Sequence, residues 1–110
     1  MFAEVVFDIA LETRFTYSIP DAWKSVIVPG SRVLAPLGRK KITGYVVSLS
    51  HRSERDQILP IHETLDPLPA FSDDLLKLAE WISEYYMAPL GQVLGAMLPP
   101  GMERHGEKLY

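Results

Sequence analysis

The chain has 110 residues, 47% of them hydrophobic, which is enough for one compact domain with one core and too little for two. It contains no cysteine, so a disulfide framework and a thiolate metal site are both excluded. There is no run of about 18 apolar residues, and the start of the chain lacks the pattern of a secretory signal, so we expect a cytoplasmic chain without a membrane span.

The formal net charge of −3 conceals an uneven distribution along the sequence. Residues 1–57 carry eight Lys or Arg against six Asp or Glu, whereas residues 58–110 carry three against eight. The basic run Arg39-Lys40-Lys41 lies in the first half, where it can contact a phosphate or form an ordinary solvated surface. The acidic total, by contrast, favours a protein partner over nucleic acid.

Alternating apolar and polar residues predict that the first half is built from β-strands. The predicted strands cover residues 2–9, 14–19, 31–35, 42–49 and 58–65, with an exposed polar loop over residues 51–57. The first is expected to be half-buried, with its odd-numbered residues from Ala3 to Ile9 on the buried face. Gly44 marks a bulge or a close approach within the fourth strand, and Pro60 confines the fifth to a sheet edge.

The segment from Pro29 to Gly38 combines a Pro-Gly turn, a strand and a second glycine loop. Gly30 supplies backbone freedom at the turn, and Pro36 ends pairing on its side of the strand. Gly38 allows a ligand to approach the main chain without a Cβ in the way. Such a segment can be a binding loop or a structural turn, and the residues alone favour the structural turn.

A helical period begins after Asp66-Pro-Leu-Pro69. Ser72 is the expected N-cap, and the two aspartates that follow it are explained by capping rather than by acid–base chemistry. The expected buried stripe of this helix consists of Leu75, Leu78, Ala79, Ile82 and Tyr86, flanked by Trp81 and Tyr85.

A second, shorter helix is predicted to start at Pro89 and to end at Pro99-Pro100-Gly101. Gly91 and Gly95 lie within it, and they are expected to permit close packing rather than phosphate binding. The remaining residues 102–110 show no pattern, so they are expected to form a tail or the start of a linker.

No catalytic site is predicted, because a nucleophile, a base and an orienting acid cannot be assigned from the residues present. His51, His62 and His105 are far apart in the sequence, and none has a partner at the spacing of metal ligands. The chain by itself is therefore expected to be neither an enzyme nor a metal-binding protein.

Five segments match one family in order. Arg14-Phe-Thr-Tyr-Ser-Ile-Pro20 fits the pattern Phe-x-Tyr-x-x-Pro, and Pro29 to Gly38 fits Gly-x-Arg-Val-x-Val-Pro-Phe-Gly. The others are Gly44-Tyr-Val-Val for Gly-x-Val-Val, Leu65-Asp66 for the Leu-Asp before the helix, and Trp81 to Gly91 for Trp/Leu-Ala-x-Tyr-Tyr-x-x-Pro-Leu-Gly. Together they resemble the N-terminal 3′ DNA-binding domain of PriA, the primosomal replication-restart helicase.

The resemblance implies an α+β domain over residues 1–101: a small OB-like β-barrel or sheet (about 1–66) followed by a helical extension (about 71–98). It implies a pocket for the 3′-terminal nucleotide of a nascent strand at a stalled fork. Main-chain groups would meet the terminal sugar hydroxyl, so that any base is accepted. By position, the residues carried over are Phe15, Thr16 and Tyr17 on one wall, and Leu37, Gly38, Arg39 and Lys40 on the other.

Strict alternation places Thr16 on the strand face opposite Phe15 and Tyr17. Either Thr16 faces the pocket while the two rings join the core, or the reverse holds. The first arrangement is favoured because buried aromatic rings are the commoner case. Two positions depart from the family, which often has Asp where Thr16 stands and commonly has Lys near Leu59. Both departures predict a weaker or less selective pocket.

The resemblance also implies a parent protein that is an ATP-dependent 3′-to-5′ DNA helicase, with ATP, magnesium and zinc bound outside this stretch, which needs no cofactor itself. Partners would be forked DNA and the remaining domains of the helicase, and the domain would be a monomer. Trp81 and Tyr85 could form a partner surface, including one for the acidic tail of single-stranded-DNA-binding protein, although core packing of both rings is favoured.

Two other functions stay open beside DNA 3′-end recognition. One is an OB-like module that binds single-stranded DNA without needing an end. The other is a protein–protein adaptor domain with no role in nucleic-acid binding, which the acidic composition favours.

Overall fold

The computed structural model describes residues 1–10, 13–51, 58–66 and 68–98. Five strands form one antiparallel sheet in the order β2-β1-β4-β3-β5. They are β1 (Phe2–Phe7), β2 (Phe15–Ser18), β3 (Arg32–Leu37), β4 (Lys40–Ser50) and β5 (Glu63–Thr64). A short 3₁₀ turn, Asp21–Trp23, follows β2, and two helices complete the fold, α1 (Asp73–Tyr86) and α2 (Leu90–Met97).

The predicted element types are confirmed, and some boundaries shift. The fifth strand is an edge strand as expected, but it is two residues long instead of eight. The predicted loop over residues 52–57, the stop at Pro99-Pro100-Gly101 and the tail over residues 102–110 lie outside the described residues. Within the described ranges, no helix is long and apolar enough to cross a membrane.

The two edges of the sheet approach each other through the segment before β5. The amide of Ser18 donates to the carbonyl of Leu59 at 3.0 Å, and the amide of Ile61 donates to the carbonyl of Ser18 at 3.0 Å. The amide of His62 in turn donates to the carbonyl of Leu34 in β3 at 2.8 Å. The sheet is therefore curled and OB-like, but among the described residues only a single parallel bridge, Ser18 with Pro60, connects β2 to this segment.

Both faces of the sheet are covered, so there are two hydrophobic clusters and not the one core expected from length. Val5 and Val6, adjacent on β1, point to opposite faces, and both are almost fully buried. One cluster contains Ala3, Val5, Phe7, Tyr17, Ile19, Ile27, Val33, Ala35, Val46 and Ile61. The other, under the helices, contains Val6, Tyr45, Phe71, Leu76, Ala79, Leu90, Val93 and Leu94. The buried face predicted for the first strand is confirmed at Ala3, Val5 and Phe7. Val6, expected on the other face, is buried as well, because the helical extension covers this side of the sheet.

Glycines allow the second helix and the sheet to approach each other closely. A Cβ at Gly91 would lie 1.7 Å from the carbonyl oxygen of Phe7, and one at Gly95 would lie 2.2 Å from a carboxylate oxygen of Asp8. A Cβ at Gly44 would lie 2.5 Å from a methyl group of Val5 on the neighbouring strand. The close-packing roles predicted for these three glycines are confirmed.

The Pro-Gly turn before β3 is a structural junction. Gly30 has a φ of 98°, its amide donates to Val46 at 2.8 Å, and its carbonyl accepts the amides of Ala70 and Phe71 at 2.9 and 3.2 Å. These bonds attach the residues that precede α1 to the sheet. The prediction of a structural turn, in preference to a binding loop, is therefore confirmed for this part of the segment.

The orientation of the first helix differs from the prediction. Its N-cap is confirmed, because the Ser72 hydroxyl accepts the amide of Leu75 at 3.2 Å. The buried positions, however, are Leu76 and Ala79, with Ile82 half-buried. The predicted core residues Leu75, Leu78 and Tyr86 are 41%, 46% and 68% exposed. Apolar residues occur on several sides of this helix, and Phe71, held by the Gly30 turn in the same cluster as Leu76, determines which side faces the sheet.

Substitution of Gly91 by Ala tests the contact between α2 and β1. We expect the added methyl group to displace the helix from the Phe7 carbonyl and to lower the free energy of unfolding by about 1–3 kcal/mol. Urea unfolding followed by circular dichroism measures the change. The control is Gln92→Ala on the exposed side of the same helix, which should change stability by less than about 0.5 kcal/mol. Equal effects of the two variants would contradict the proposed contact.

Candidate nucleic-acid pocket

A pocket of about 250 Å³ lies between β2 and the turn that joins β3 to β4. Its lining residues are Phe15, Thr16, Tyr17, Pro36, Leu37, Gly38 and Leu59. Five of the seven residues predicted from the sequence as the DNA site line this pocket, whereas Arg39 and Lys40 lie outside its lining. Pro36 was missed as a site residue, although its place beside Leu37 and Gly38 was a usable signal.

The aromatic wall of the pocket is part of the core. Tyr17 is 4% exposed, and its hydroxyl donates to the carbonyl of Pro36 at 2.5 Å. The rings of Phe15 and Tyr17 both meet Phe7 edge-on, with centroids 5.6 and 6.3 Å apart. Both rings pack toward the core, as the favoured arrangement predicts, but they also line the pocket, so the two arrangements do not exclude each other. Thr16 is half-buried and lines the pocket together with them.

The opposite wall is formed by backbone and small or apolar side chains. Gly38 has a φ of 65°, and no atom lies within 4 Å of the position that a Cβ would occupy. Its backbone conformation favours glycine, and its outer side is open to a ligand. Leu59 lies at the rim with 58% of its surface exposed, so the residue expected to replace a basic contact does border this pocket.

Charged residues lie next to the pocket in the chain, but none of them lines it. None of the seven lining residues is ionisable except Tyr17. Arg39, Lys40 and Lys41 are exposed directly after Gly38. On the other side Arg14 precedes Phe15, and its guanidinium lies 3.7 Å from Glu4 and 3.6 Å from Glu80. The basic run thus follows directly in the chain after the wall of the pocket that Gly38 forms.

No metal centre is found among the described residues, where no three His, Asp or Glu side chains are grouped suitably for one ion. His51 and His62 belong to the described ranges, and His105 lies outside them. The pocket itself offers one hydroxyl, backbone groups and apolar surface. Such an arrangement can hold a ligand by shape, stacking and hydrogen bonds, but it provides no nucleophile with an adjacent base.

A curled antiparallel sheet with a helical extension and a small pocket at one edge places the chain in the class of OB-like binding modules. Residues 4–99 match the family described as "3'DNA-binding domain (3'BD)" of PriA. The chain belongs to this family, and it is therefore a 3′ DNA-binding domain of the PriA type.

Curated relatives agree with this assignment. The chain is 32% identical over 112 residues to the replication restart protein PriA of Bacillus subtilis, with 97% of the chain covered. It is 35% identical over 102 residues to PriA of Treponema pallidum and 33% identical over 105 residues to PriA of Haemophilus influenzae, with 87% and 94% of the chain covered. The matches span only 14%, 16% and 14% of those three proteins, so the chain corresponds to a small part of each relative.

The buried tyrosine at the pocket predicts a loss of stability in alkaline solution. Burial raises the pKa of Tyr17 to about 12, above its ordinary value of about 10. The folded state thus holds this proton more tightly than the unfolded chain. Its contribution to stability is complete below about pH 10 and is lost as the pH rises toward about 12. We expect Tyr17→Phe to remove this part of the pH dependence, measured by urea unfolding between pH 8 and 12.

The same variant has a second expected effect and a matched control. Loss of the hydrogen bond to Pro36 should cost about 0.5–1.5 kcal/mol at neutral pH. Tyr86→Phe changes a tyrosine that is 68% exposed, and it should leave the alkaline decline of stability unchanged. If wild type and Tyr17→Phe lose stability in parallel above pH 10, the tyrosine is not protected in the folded state.

Proposed function

We propose that this domain binds the 3′-terminal nucleotide of a nascent DNA strand at a stalled fork, without preference for the base. The observation that carries the proposal is the convergence of Phe15, Thr16 and Tyr17 with Leu37 and Gly38 in one pocket. They come from β2 and from the end of β3 with its following turn, and these two strands are not neighbours in the sheet. Membership of a family described as a DNA-binding domain is the reason for proposing DNA as the ligand.

The size of the pocket suits one unit of a strand better than a longer run. Its volume of about 250 Å³ is below the range of about 300–1,000 Å³ that is typical for drug-sized ligands. A module that binds single strands internally needs a groove that follows several nucleotides. A small pocket at the end of a turn therefore supports recognition of a terminus over end-independent binding.

The lining explains why the base identity should matter little. Backbone groups at Gly38 can contact sugar or phosphate, and such contacts carry no sequence information. The apolar surface of Phe15 and Leu59 can contact the face of any base, and stacking on an aromatic ring is worth about 1–3 kcal/mol per base. Thr16 supplies a single hydroxyl where a carboxylate would accept stronger hydrogen bonds, so binding should be modest in affinity.

The longer protein that contains this domain supplies the rest of the proposed activity. The relatives are named as replication restart proteins, and they extend far beyond the matched stretch. We propose that the parent is an ATP-dependent 3′-to-5′ DNA helicase that uses ATP, magnesium and zinc outside residues 1–101 and acts in the cytoplasm at the nucleoid. The domain itself would be a monomer, and the acidic tail of single-stranded-DNA-binding protein stays a proposed partner.

An adaptor role is the second candidate function, and one observation favours it. Trp81 and Tyr85 are 58% and 66% exposed, which contradicts the expectation that both rings belong to the core. An exposed aromatic pair is typical of a protein-binding surface. This surface lies on α1, and neither of its two rings lines the pocket, so the two roles do not exclude each other.

Fluorescence anisotropy with short labelled oligonucleotides tests end recognition. We compare a free 3′ hydroxyl, a 3′ phosphate and a closed circle of the same sequence. The proposal predicts the tightest binding to the free hydroxyl and equal affinity for all four terminal bases. Equal binding to the circle would indicate an end-independent module, and no binding to any DNA would indicate an adaptor.

A variant with a filled pocket and a matched surface variant test the site in the same assay. Thr16→Phe places a ring inside the pocket without changing the charge, and we expect it to lower affinity for the 3′ hydroxyl end at least about tenfold. Thr13→Phe makes the same chemical change at an exposed residue outside the lining, and it should bind as the wild type does. Similar losses in both variants would show that the pocket is not the DNA site.

A charge introduced at the rim of the pocket tests where the bound DNA strand lies. Leu59→Lys should add one phosphate contact, and the logarithm of the binding constant should then fall more steeply with salt, by about 0.7 in slope. Leu68→Lys adds the same charge at a residue that is 74% exposed and does not line the pocket. Salt-dependence measurements at several potassium chloride concentrations distinguish the two variants. Identical salt dependences of the two variants would show that the DNA strand does not pass Leu59.

A further inference from the structure

The pocket between β2 and the β3–β4 turn is the open end of one of the two hydrophobic clusters. Tyr17 belongs to the buried part of that cluster, and Phe15 and Leu37 pack against it. All three residues also line the pocket. The apolar interior on this side of the sheet therefore continues to the surface of the domain, where it borders a space of about 250 Å³. A flat apolar group placed in this space would extend the packing of the cluster.

Leu59 continues the apolar surface of the same cluster at the rim of the pocket. It lies two residues before Ile61, which is 1% exposed and belongs to the buried part of the cluster. Residues two apart in an extended segment point to the same side, so Leu59 lies on the side of the segment that faces the cluster. Leu59 is nevertheless 58% exposed and borders the pocket. Its side chain therefore has an apolar surface free on the side where a ligand would enter.

The main chain around Leu59 is bonded to two strands of the sheet. The carbonyl of Leu59 accepts the amide of Ser18 at 3.0 Å, and the amide of Ile61 donates to the carbonyl of Ser18 at 3.0 Å. The amide of His62 donates to the carbonyl of Leu34 in β3 at 2.8 Å. An exposed leucine by itself carries no information about function. A leucine whose main chain is attached to both sides of a pocket, however, presents its side chain at a defined place, which lowers the entropy cost of a contact there.

The lining determines which part of a nucleotide fits the pocket. Among the seven lining residues only Tyr17 is ionisable, and its hydroxyl already donates to the carbonyl of Pro36. Burying a phosphate in such a lining without a counter-charge is costly. A nucleobase, by contrast, is flat and offers a face that can stack on apolar and aromatic side chains. The base is therefore the part of the terminal nucleotide that matches this lining.

We propose that Leu59 holds the terminal base, with its side chain on one face of the base, against the lining formed by Phe15 and Leu37. The inference rests on the proposed function and assigns the main contact within that site. The contact does not read the identity of the base, because every base has such a face. It is also independent of ionic strength, since apolar contacts are not screened by salt and contacts to phosphate are weakened by it.

An oligonucleotide whose 3′-terminal sugar carries no base tests the inference with the 110-residue chain. Anisotropy compares it with the intact oligonucleotide, both ending in a free 3′ hydroxyl. We expect the abasic end to bind about tenfold more weakly, with the same ratio at low and high potassium chloride, because no ionic contact is lost with the base. Equal affinities of the two ends would overturn the inference. A ratio that approaches one at high salt would overturn it as well, because the lost contact would then be ionic.

Substitutions at the rim assign the contact to Leu59. Leu59→Asn replaces the apolar side chain by a polar one of similar size, and we expect it to weaken binding of the intact end about fivefold and to leave binding of the abasic end unchanged. Leu59→Met, which keeps an apolar side chain, should retain most of the wild-type affinity. Leu68→Asn makes the same change at a residue that is 74% exposed and does not line the pocket, and it should bind both ends as the wild type does.

The outcomes separate this inference from the proposed function. If the wild type prefers a free 3′ hydroxyl to a closed circle, but Leu59→Asn changes binding of the intact and abasic ends equally, the role of Leu59 is wrong and end recognition stands. If the circle binds as tightly as the linear strand, the proposed function itself fails, and the inference fails with it.

Discussion

The hydrogen bond from the Tyr17 hydroxyl to the Pro36 carbonyl is the contact on which the pocket depends. Its two residues belong to β2 and β3, which are separated in the sheet by β1 and β4. They can meet only because the sheet curls until β2, at its edge, faces the end of β3. The proline contributes by lacking an amide, so that pairing with β5 stops at Leu34 and the outer side of β3 is left open beyond it. The space left beside this contact is the pocket.

Burial on both faces of the sheet gives this small module its rigidity. On one side the aromatic rings of Phe7, Phe15 and Tyr17 pack edge-to-face, and on the other side α2 approaches β1 until only a glycine fits. A sheet held in this way cannot easily change its curl, because close-packed interiors transmit small displacements. The hydrogen bond from Tyr17 to Pro36 connects the two walls of the pocket, and preorganisation of a site lowers the cost of binding.

Local patterns predicted the elements well because each carries its own physical signal. Alternation gave the strands, Ser72 gave the start of α1, and the positions of Gly44, Gly91 and Gly95 indicated close approach. The composition could not show that the sheet is covered twice, since Val6 lies at a position that alternation assigns to the solvent side. The prediction of which side of α1 is buried was wrong for a related reason. Apolar residues cover most of its circumference, and the side that packs is decided by the distant turn at Gly30.

The candidate site was predicted from ordered motifs, not from any single residue, and the chain folds five of the seven proposed residues into one pocket. Contacts between residues that are distant in the sequence could not be predicted from the sequence pattern. The contact between Arg32 and Asp66 is an example, with its two bonds of 2.7 and 3.0 Å from Nε and Nη2 to the two carboxylate oxygens. Each partner lies in a segment that resembles a motif of the family, yet nothing in the spacing of 34 residues shows that they meet.

That ion pair also limits how far the domain can be shortened. The Arg32 side chain is 8% exposed at the start of β3, the strand whose other end forms the wall of the pocket. A fragment cut before Asp66 would leave a guanidinium inside the protein without its counter-ion, a far more costly state than the intact pair. The sheet and the segment leading into α1 are thus one folding unit, and the smallest fragment able to keep the pocket intact includes part of the chain that does not line it.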